Sequence, residues 1–103
     1  MHEIDLDKAH REQARWRILK VLYSGRPMAV SELVILQALN DATLSLTPNG
    51  LRRELKYLED RRLVTLANLS STVWAAALTR FGVDVVEYTV DCMPGIASPA
   101  KWY

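Results

Sequence analysis

The residues best suited to binding chemistry are concentrated in one stretch. Residues 47–62 carry Arg52, Arg53, Lys56, Arg61 and Arg62 against Glu54, Glu59 and Asp60, with Asn49 near the start. An arginine can donate two parallel hydrogen bonds to guanine and an asparagine can pair with adenine. This set therefore has the groups to read base edges and spare cations for phosphate. Residues 63–103 hold only Arg80 and Lys101 against Asp84, Glu87 and Asp91. The positive surplus is local, because the net charge of +1 is too small to mark a nucleic-acid binder by itself.

Other chemistries lack their residues. His2 and His10 lie at the N-terminal end, far in sequence from the single cysteine, Cys92. No nucleophile–base constellation, zinc-ligand spacing or glycine-rich phosphate loop follows from that set. Cys92 reads as an ordinary packed or partly exposed thiol. The expectation is a non-enzymatic protein without metal or cofactor. One cysteine permits no internal disulfide, and no run approaches the roughly 18 apolar residues of a membrane span. Residues 1–7 (MHEIDLD) are acidic and lack the basic and apolar regions of a secretory signal, so a reducing cytoplasm is the expected setting. The chain has 103 residues, half of them hydrophobic and 24% charged, which suits one globular domain over residues 1–103. Pro94, Gly95 and Pro99 make residues 91–103 an irregular C-terminal tail.

The basic stretch needs elements to hold it. Over residues 6–24, Ile18 and Leu22 form one apolar row and Trp16, Leu19 and Tyr23 a second, a helical period with a broad buried face. Gly25 is expected to close that helix in a left-handed conformation, with Pro27 preventing its resumption. After a short bridge over residues 28–30, Ser31 can cap a helix ending near Asn40, with Leu33, Leu36 and Leu39 inward. Residues 40–46 (NDATLSL) leave two possibilities open, an extended second helix or an enlarged turn.

Thr47-Pro48 is the clearest start signal, a capping hydroxyl before a proline whose missing amide hydrogen costs nothing at the first helical position. Leu46 and Leu51 can pack across that cap. Leu51, Leu55 and Leu58 then line one side of helix three, leaving Asn49, Arg52, Arg53, Lys56 and Tyr57 on or near the other. A helix of about 16 residues would be roughly 24 Å long. Alternation follows: Val64 and Leu66 on one strand, Trp74, Ala76 and Leu78 on a second, and a turn over residues 68–72. Thr79 can cap a last helix reaching Tyr88 or Val90, with Val83, Val86 and Val90 aligned. The fold class is mainly α with a small β-hairpin.

In the order helix, helix, helix, two-stranded wing, helix, residues 16–90 resemble the winged-helix regulators of the ArsR, MarR and PadR kind. Residues 51–64 (LRRELKYLEDRRLV) resemble a recognition helix running into the wing, residues 78–82 (LTRFG) the strand end and helix start after it, and residues 31–33 (SEL) the opening of the bracing helix. With residues 94–99 (PGIASP) included, the chain also resembles small winged-helix proteins of Mu-like phages and prophages, which implies a bacterial or phage setting.

The resemblance implies a winged helix-turn-helix that binds double-stranded DNA sequence-specifically and regulates transcription, with helix three in the major groove. On that footing Asn49, Arg52, Arg53 and Lys56 are the expected base readers. Thr47 with the opening amides of the helix, and Arg61 and Arg62, are the expected phosphate contacts. Asn68, Ser70, Ser71 and Thr72 at the wing offer only neutral hydrogen bonds, where DNA-binding members usually present Arg or Lys. Trp16, Leu19, Tyr23, Val83 and Val86 would suit a homodimer of this family that sets two recognition helices about 34 Å apart. The same residues could instead complete a monomer core or receive Ile96, Trp102 and Tyr103. The rival function is a protein-interaction module, such as a phage assembly or packaging accessory, using helix three or the terminal Lys101-Trp102-Tyr103 as an anchor. A run such as Arg52, Arg53 and Lys56 is also what a merely solvated helix face presents.

Overall fold

A computed structural model describes residues 4–100. The chain runs α1 (Leu6–Gly25), β1 (Val30–Ser31), α2 (Glu32–Asp41), α3 (Pro48–Asp60), β2 (Val64–Ala67), β3 (Ala75–Leu78) and α4 (Arg80–Val86). The strands form one antiparallel sheet in the order β1-β3-β2, with Val64 opposite Leu78 and Val30 opposite Ala76. Three helices, a hairpin wing and a closing helix make this a winged helix-turn-helix, mainly α. Among the described residues, no helix is long and apolar enough to cross a membrane.

The central helix, α1, packs on α2, α3, α4 and β3, which accounts for its two apolar rows: Ile18, Leu19 and Leu22 are all enclosed. Its cap is Asp5, whose side chain accepts from the Lys8 amide at 2.9 Å. The left-handed closure expected at Gly25 does not occur. Gly25 ends the helix itself, and Arg26 leaves in an extended conformation, the geometry a residue before proline prefers. Glycine is still needed there, because a Cβ would collide with Cγ2 of Val30.

Ser31 caps α2 by accepting from the Leu33 amide at 3.2 Å, and it also ends the short strand β1 that sequence reading passed over. The inward face of α2 is corrected in phase. Ile35 and Leu39 are enclosed and Leu36 is half-buried, whereas Leu33 is 59% exposed. The ambiguous stretch after Asn40 resolves as an enlarged turn, because α2 stops at Asp41.

Three helices close in one way. The amides of Leu44, Leu63 and Thr89 reach back to the carbonyls of Leu39, Leu58 and Asp84 at 2.8, 3.0 and 2.9 Å. The residue before each, Thr43, Arg62 and Tyr88, is left-handed at φ 58, 63 and 61°. This is the closure that glycine usually makes, here built from side-chain-bearing residues. It shortens α3 to 13 residues, about 20 Å instead of the expected 24 Å. It also ends α4 at Val86, so Val90 lies beyond the helix, and the enclosed valines are Val85 and Val86 while Val83 is half-buried.

Thr79 caps α4 by accepting from the Gly82 amide at 3.0 Å, and its own hydroxyl donates to the Arg62 carbonyl at 2.6 Å. That fastens the last helix to the end of α3. A Cβ on Gly82 would run into the carbonyl oxygen of Leu63, a backbone atom that accepts from Thr79 and cannot easily yield. Gly82→Ala should therefore destabilise the protein by about 1–2 kcal/mol despite alanine's better helix propensity. Thr43→Gly should raise stability by about 0.5–1 kcal/mol, since a β-branched residue is strained in the left-handed region. Urea unfolding midpoints of the two variants should move in opposite directions.

Candidate nucleic-acid interface

The third helix divides cleanly. Leu51, Leu55 and Leu58 are fully enclosed. Thr47 accepts from the Gly50 amide at 2.9 Å, which uses its oxygen as the cap and leaves its O–H free to donate. Opposite the leucines, Asn49, Arg53, Lys56 and Asp60 follow at four, three and four residues along one exposed row. With Arg52, Tyr57 and Trp74 they line a groove of about 580 Å³ between the helix and the sheet. Arg53 forms no hydrogen bond or ion pair with a described residue. Lys56 holds Glu59 at 3.0 Å, both partly exposed, so its charge is partly offset, and Asp60 makes the C-terminal end of the row less attractive to phosphate.

Arg52 departs from the sequence expectation of a free base reader. Its Nε and Nη2 donate to the two carboxylate oxygens of Glu32 at 3.0 and 2.9 Å, and Nη2 also donates to the Thr72 carbonyl at 2.8 Å. The guanidinium lies 4.3 Å from the centre of the Trp74 ring. Its hydrogen bonds to Glu32 raise the guanidinium's pKa and keep it charged. A helical period identifies which side of α3 leaves the core, but not that an acid 20 residues earlier meets that side. A legible signal was Glu32 itself, a carboxylate directly after a helix cap.

Within the groove's lining Tyr57 carries a cation on each face, with Arg15 at 3.5 Å and Arg61 at 3.6 Å from the ring centre. Two guanidinium groups that close cannot share a face. Arg15 further donates to Glu54 at 2.7 Å and to the Gly95 carbonyl at 2.9 Å. The tail is thus bound to the domain: Ile96 is buried, and the Ala97 amide donates to the Glu12 carbonyl at 3.1 Å. Arg61 is therefore a stacked cation with free edges, whereas Arg62 is exposed in its left-handed corner.

The wing tip holds Asn68, Ser70 and Ser71 in the open. Asn68 is left-handed, and Ser71 turns inward on the loop by accepting from the Val73 amide at 3.3 Å. Leu69, 46% exposed, stands where a cation would be useful for DNA.

The residues expected at a dimer interface serve their own chain. Leu19 is fully enclosed, Trp16 and Val86 are buried, and Val83 is half-buried. Tyr23 donates to Glu87 at 2.6 Å and stacks under Arg26, joining α1 to the end of α4. That hydrogen bond is the main reason its phenol titrates above the ordinary value. Trp16 meets Tyr88 edge-on at 6.0 Å. Leu19 was available to a partner only if α1 had an open side, and its neighbours cover it on every side. Cys92 is half-buried, and desolvation pushes its thiol up from the ordinary value. Among the described residues no group of three or more His, Cys, Asp or Glu is placed to hold a metal. His2 and Lys101-Trp102-Tyr103 lie outside the described residues.

No family model and no curated protein matches the chain. Solved structures do. RosR of H. salinarum is 26% identical over 74% of this chain and 67% of its own, with a TM-score of 0.64. A complex structure of RosR-S1 is 25% identical over 81% and 72%, with a TM-score of 0.65. A complex structure of RosR-S4 is 25% identical over 78% and 73%, with a TM-score of 0.63. The likeness supports the winged-helix assignment.

The tail contact is the most exposed to a single change. Gly95 has φ 96°, and a Cβ there would strike the Tyr57 hydroxyl. Gly95→Ala should loosen the tail and lower stability by about 1–2 kcal/mol without altering helix content. Amide exchange should show lost protection at Ala97, with the α3 leucine amides unchanged.

Proposed function

We propose that this chain binds double-stranded DNA sequence-specifically as a transcriptional regulator, with α3 entering the major groove and the wing lying on the adjacent backbone. The observation carrying the reading is the exposed row Asn49, Arg53 and Lys56 on the third helix of a winged helix, opposite three enclosed leucines. The likeness to RosR supports it, and the tail's resemblance to Mu-like phage proteins favours a bacterial or phage setting. A helix of 13 residues is about 20 Å long and fits a groove about 12 Å wide.

Asn49 and Arg53 are one helical turn apart, about 6 Å along the axis, close to two base-pair steps of about 3.4 Å. Asn49 is assigned to an adenine and Arg53 to a guanine, with Lys56 and Arg62 on phosphate and Arg61 offering its free edge. Thr47, Asn68 and Ser70 add neutral hydrogen bonds at the margins.

Fluorescence anisotropy of the full chain on a duplex selected from a randomised pool, across a salt series, tests this reading. Arg53→Ala should cost about 1–3 kcal/mol and relax selectivity at one guanine, and Lys56→Ala should weaken all duplexes alike and lower the salt slope by about one. Failure to bind any duplex at low salt would replace the regulator with the protein-interaction module, for which exposed Leu33 and Val34 on α2 and Leu69 on the wing are among the apolar contacts the described residues offer.

A further inference from the structure

We propose that Arg52 and Glu32 form a wing-positioning pair, and that Arg52 contributes to DNA binding by placing the wing and not by touching DNA. The proposal rests on the reading of α3 and the wing as a DNA-binding face.

The atoms form a closed circuit. Glu32 opens α2, is 5% exposed, and gives its amide to the Trp74 carbonyl at 2.9 Å. Its carboxylate takes both donors of Arg52, a fork-to-fork pairing that fixes direction as well as distance. The same guanidinium covers the Trp74 ring and donates to the carbonyl of Thr72 on the returning limb of the wing. One side chain of α3 thus binds α2 and two points of the wing. The wing loop's own bonds are short-range, from the Ser71 amide to the Asn68 carbonyl at 2.9 Å and from the Val73 amide to the Ser71 hydroxyl. Those bonds shape the loop but do not anchor it to the helices; the Arg52–Thr72 bond does.

Two electrical consequences follow. Arg52 and Glu32 cancel, so Arg52 adds little to counterion release when DNA binds. Loss of Glu32 removes an anion beside the groove, which by charge alone would tighten binding. Misplacement of the wing would weaken it. The two accounts therefore predict opposite signs for one substitution.

The test uses the full chain and the selected duplex, comparing Glu32→Gln, Arg52→Lys and the uncharged pair Glu32→Gln with Arg52→Met. Each should lower affinity by about tenfold or more, the scale of a lost charge-assisted hydrogen bond, and the salt slope should be unchanged in Arg52→Lys and in the double variant, which keep the local net charge. Arg52→Lys should not rescue, because an ammonium keeps the charge but lacks the fork. Tighter binding by Glu32→Gln, or full rescue by Arg52→Lys, would overturn the proposal and make Arg52 a direct DNA contact. Circular dichroism separates misfolding from misplacement, and the uncharged double variant, which buries no lone charge, keeps the test open should a single variant unfold. If the wild type binds no duplex, the DNA reading fails by itself. Amide exchange at Ser71 and Val73 then decides the positioning claim, since faster exchange in Arg52→Lys supports it and unchanged exchange refutes it.

Discussion

The burial of Leu51, Leu55 and Leu58 along one side of α3 orients the rest of the molecule. Each fully enclosed leucine contributes roughly 1.5–3 kcal/mol relative to exposure, and three at four- and three-residue spacing leave the helix one favourable rotation about its axis. That rotation sends Asn49, Arg53 and Lys56 outward and aims Arg52 sideways, toward α2 and the wing. It also aims Glu54 inward at Arg15, under the tail. The polar groups are distributed by an apolar decision.

Two arginine–glutamate pairs then fix what the leucines leave soft. Glu54 with Arg15 ties α3 to α1, and Glu32 with Arg52 ties α3 to α2 and the wing. Desolvating such charges offsets much of their attraction, so their main contribution is to select one arrangement. Apolar side chains tolerate sliding, whereas the forked Glu32–Arg52 pair has a single geometry, and Arg15 is held by Glu54 and the Gly95 carbonyl together. On the proposed DNA-binding reading, α3 and the wing need that kind of restraint, because base recognition fails over displacements of about an ångström.

Legibility in the sequence followed the range of the interactions. The cap at Thr47-Pro48, the caps at Ser31 and Thr79 and the leucine row depend on residues within a few positions of one another, and each is where the residues indicated; the hairpin formed too, but its second strand begins at Ala75, which leaves Trp74, expected on that strand, in the wing loop where it meets Arg52. Helix ends were poorly legible because Thr43, Arg62 and Tyr88 adopt the left-handed corner that sequence reading assigns to glycine, while Gly25 does not. The phase of α2 was lost because Leu33 and Ile35 are both apolar, and which one faces the core depends on where α1 lies. Arg52 was misread for a related reason. Its partner is on another helix, and periodicity carries no information about that neighbour. The second apolar row of α1 was legible as buried, but whether a second copy or the chain's own α4 and sheet cover it was left open, since that enclosure is a tertiary fact.

The same contacts explain how a chain of nearly zero net charge can carry a basic helix without behaving as a cationic surface. Arg52 is matched by Glu32, Lys56 is partly matched by Glu59, and Arg61 is spread over the face of Tyr57. What is left is Arg53 in the groove and Arg62, exposed just past the end of α3. A site built this way attracts phosphate weakly at long range, because screening and internal pairing remove most of the field. On the proposed reading, its discrimination has to come from short-range hydrogen bonds whose geometry is set in advance. Rigidity, supplied by the two part-buried pairs and the docked tail, substitutes for charge on this reading, and the neutral wing becomes intelligible as a surface to be placed because it cannot attract.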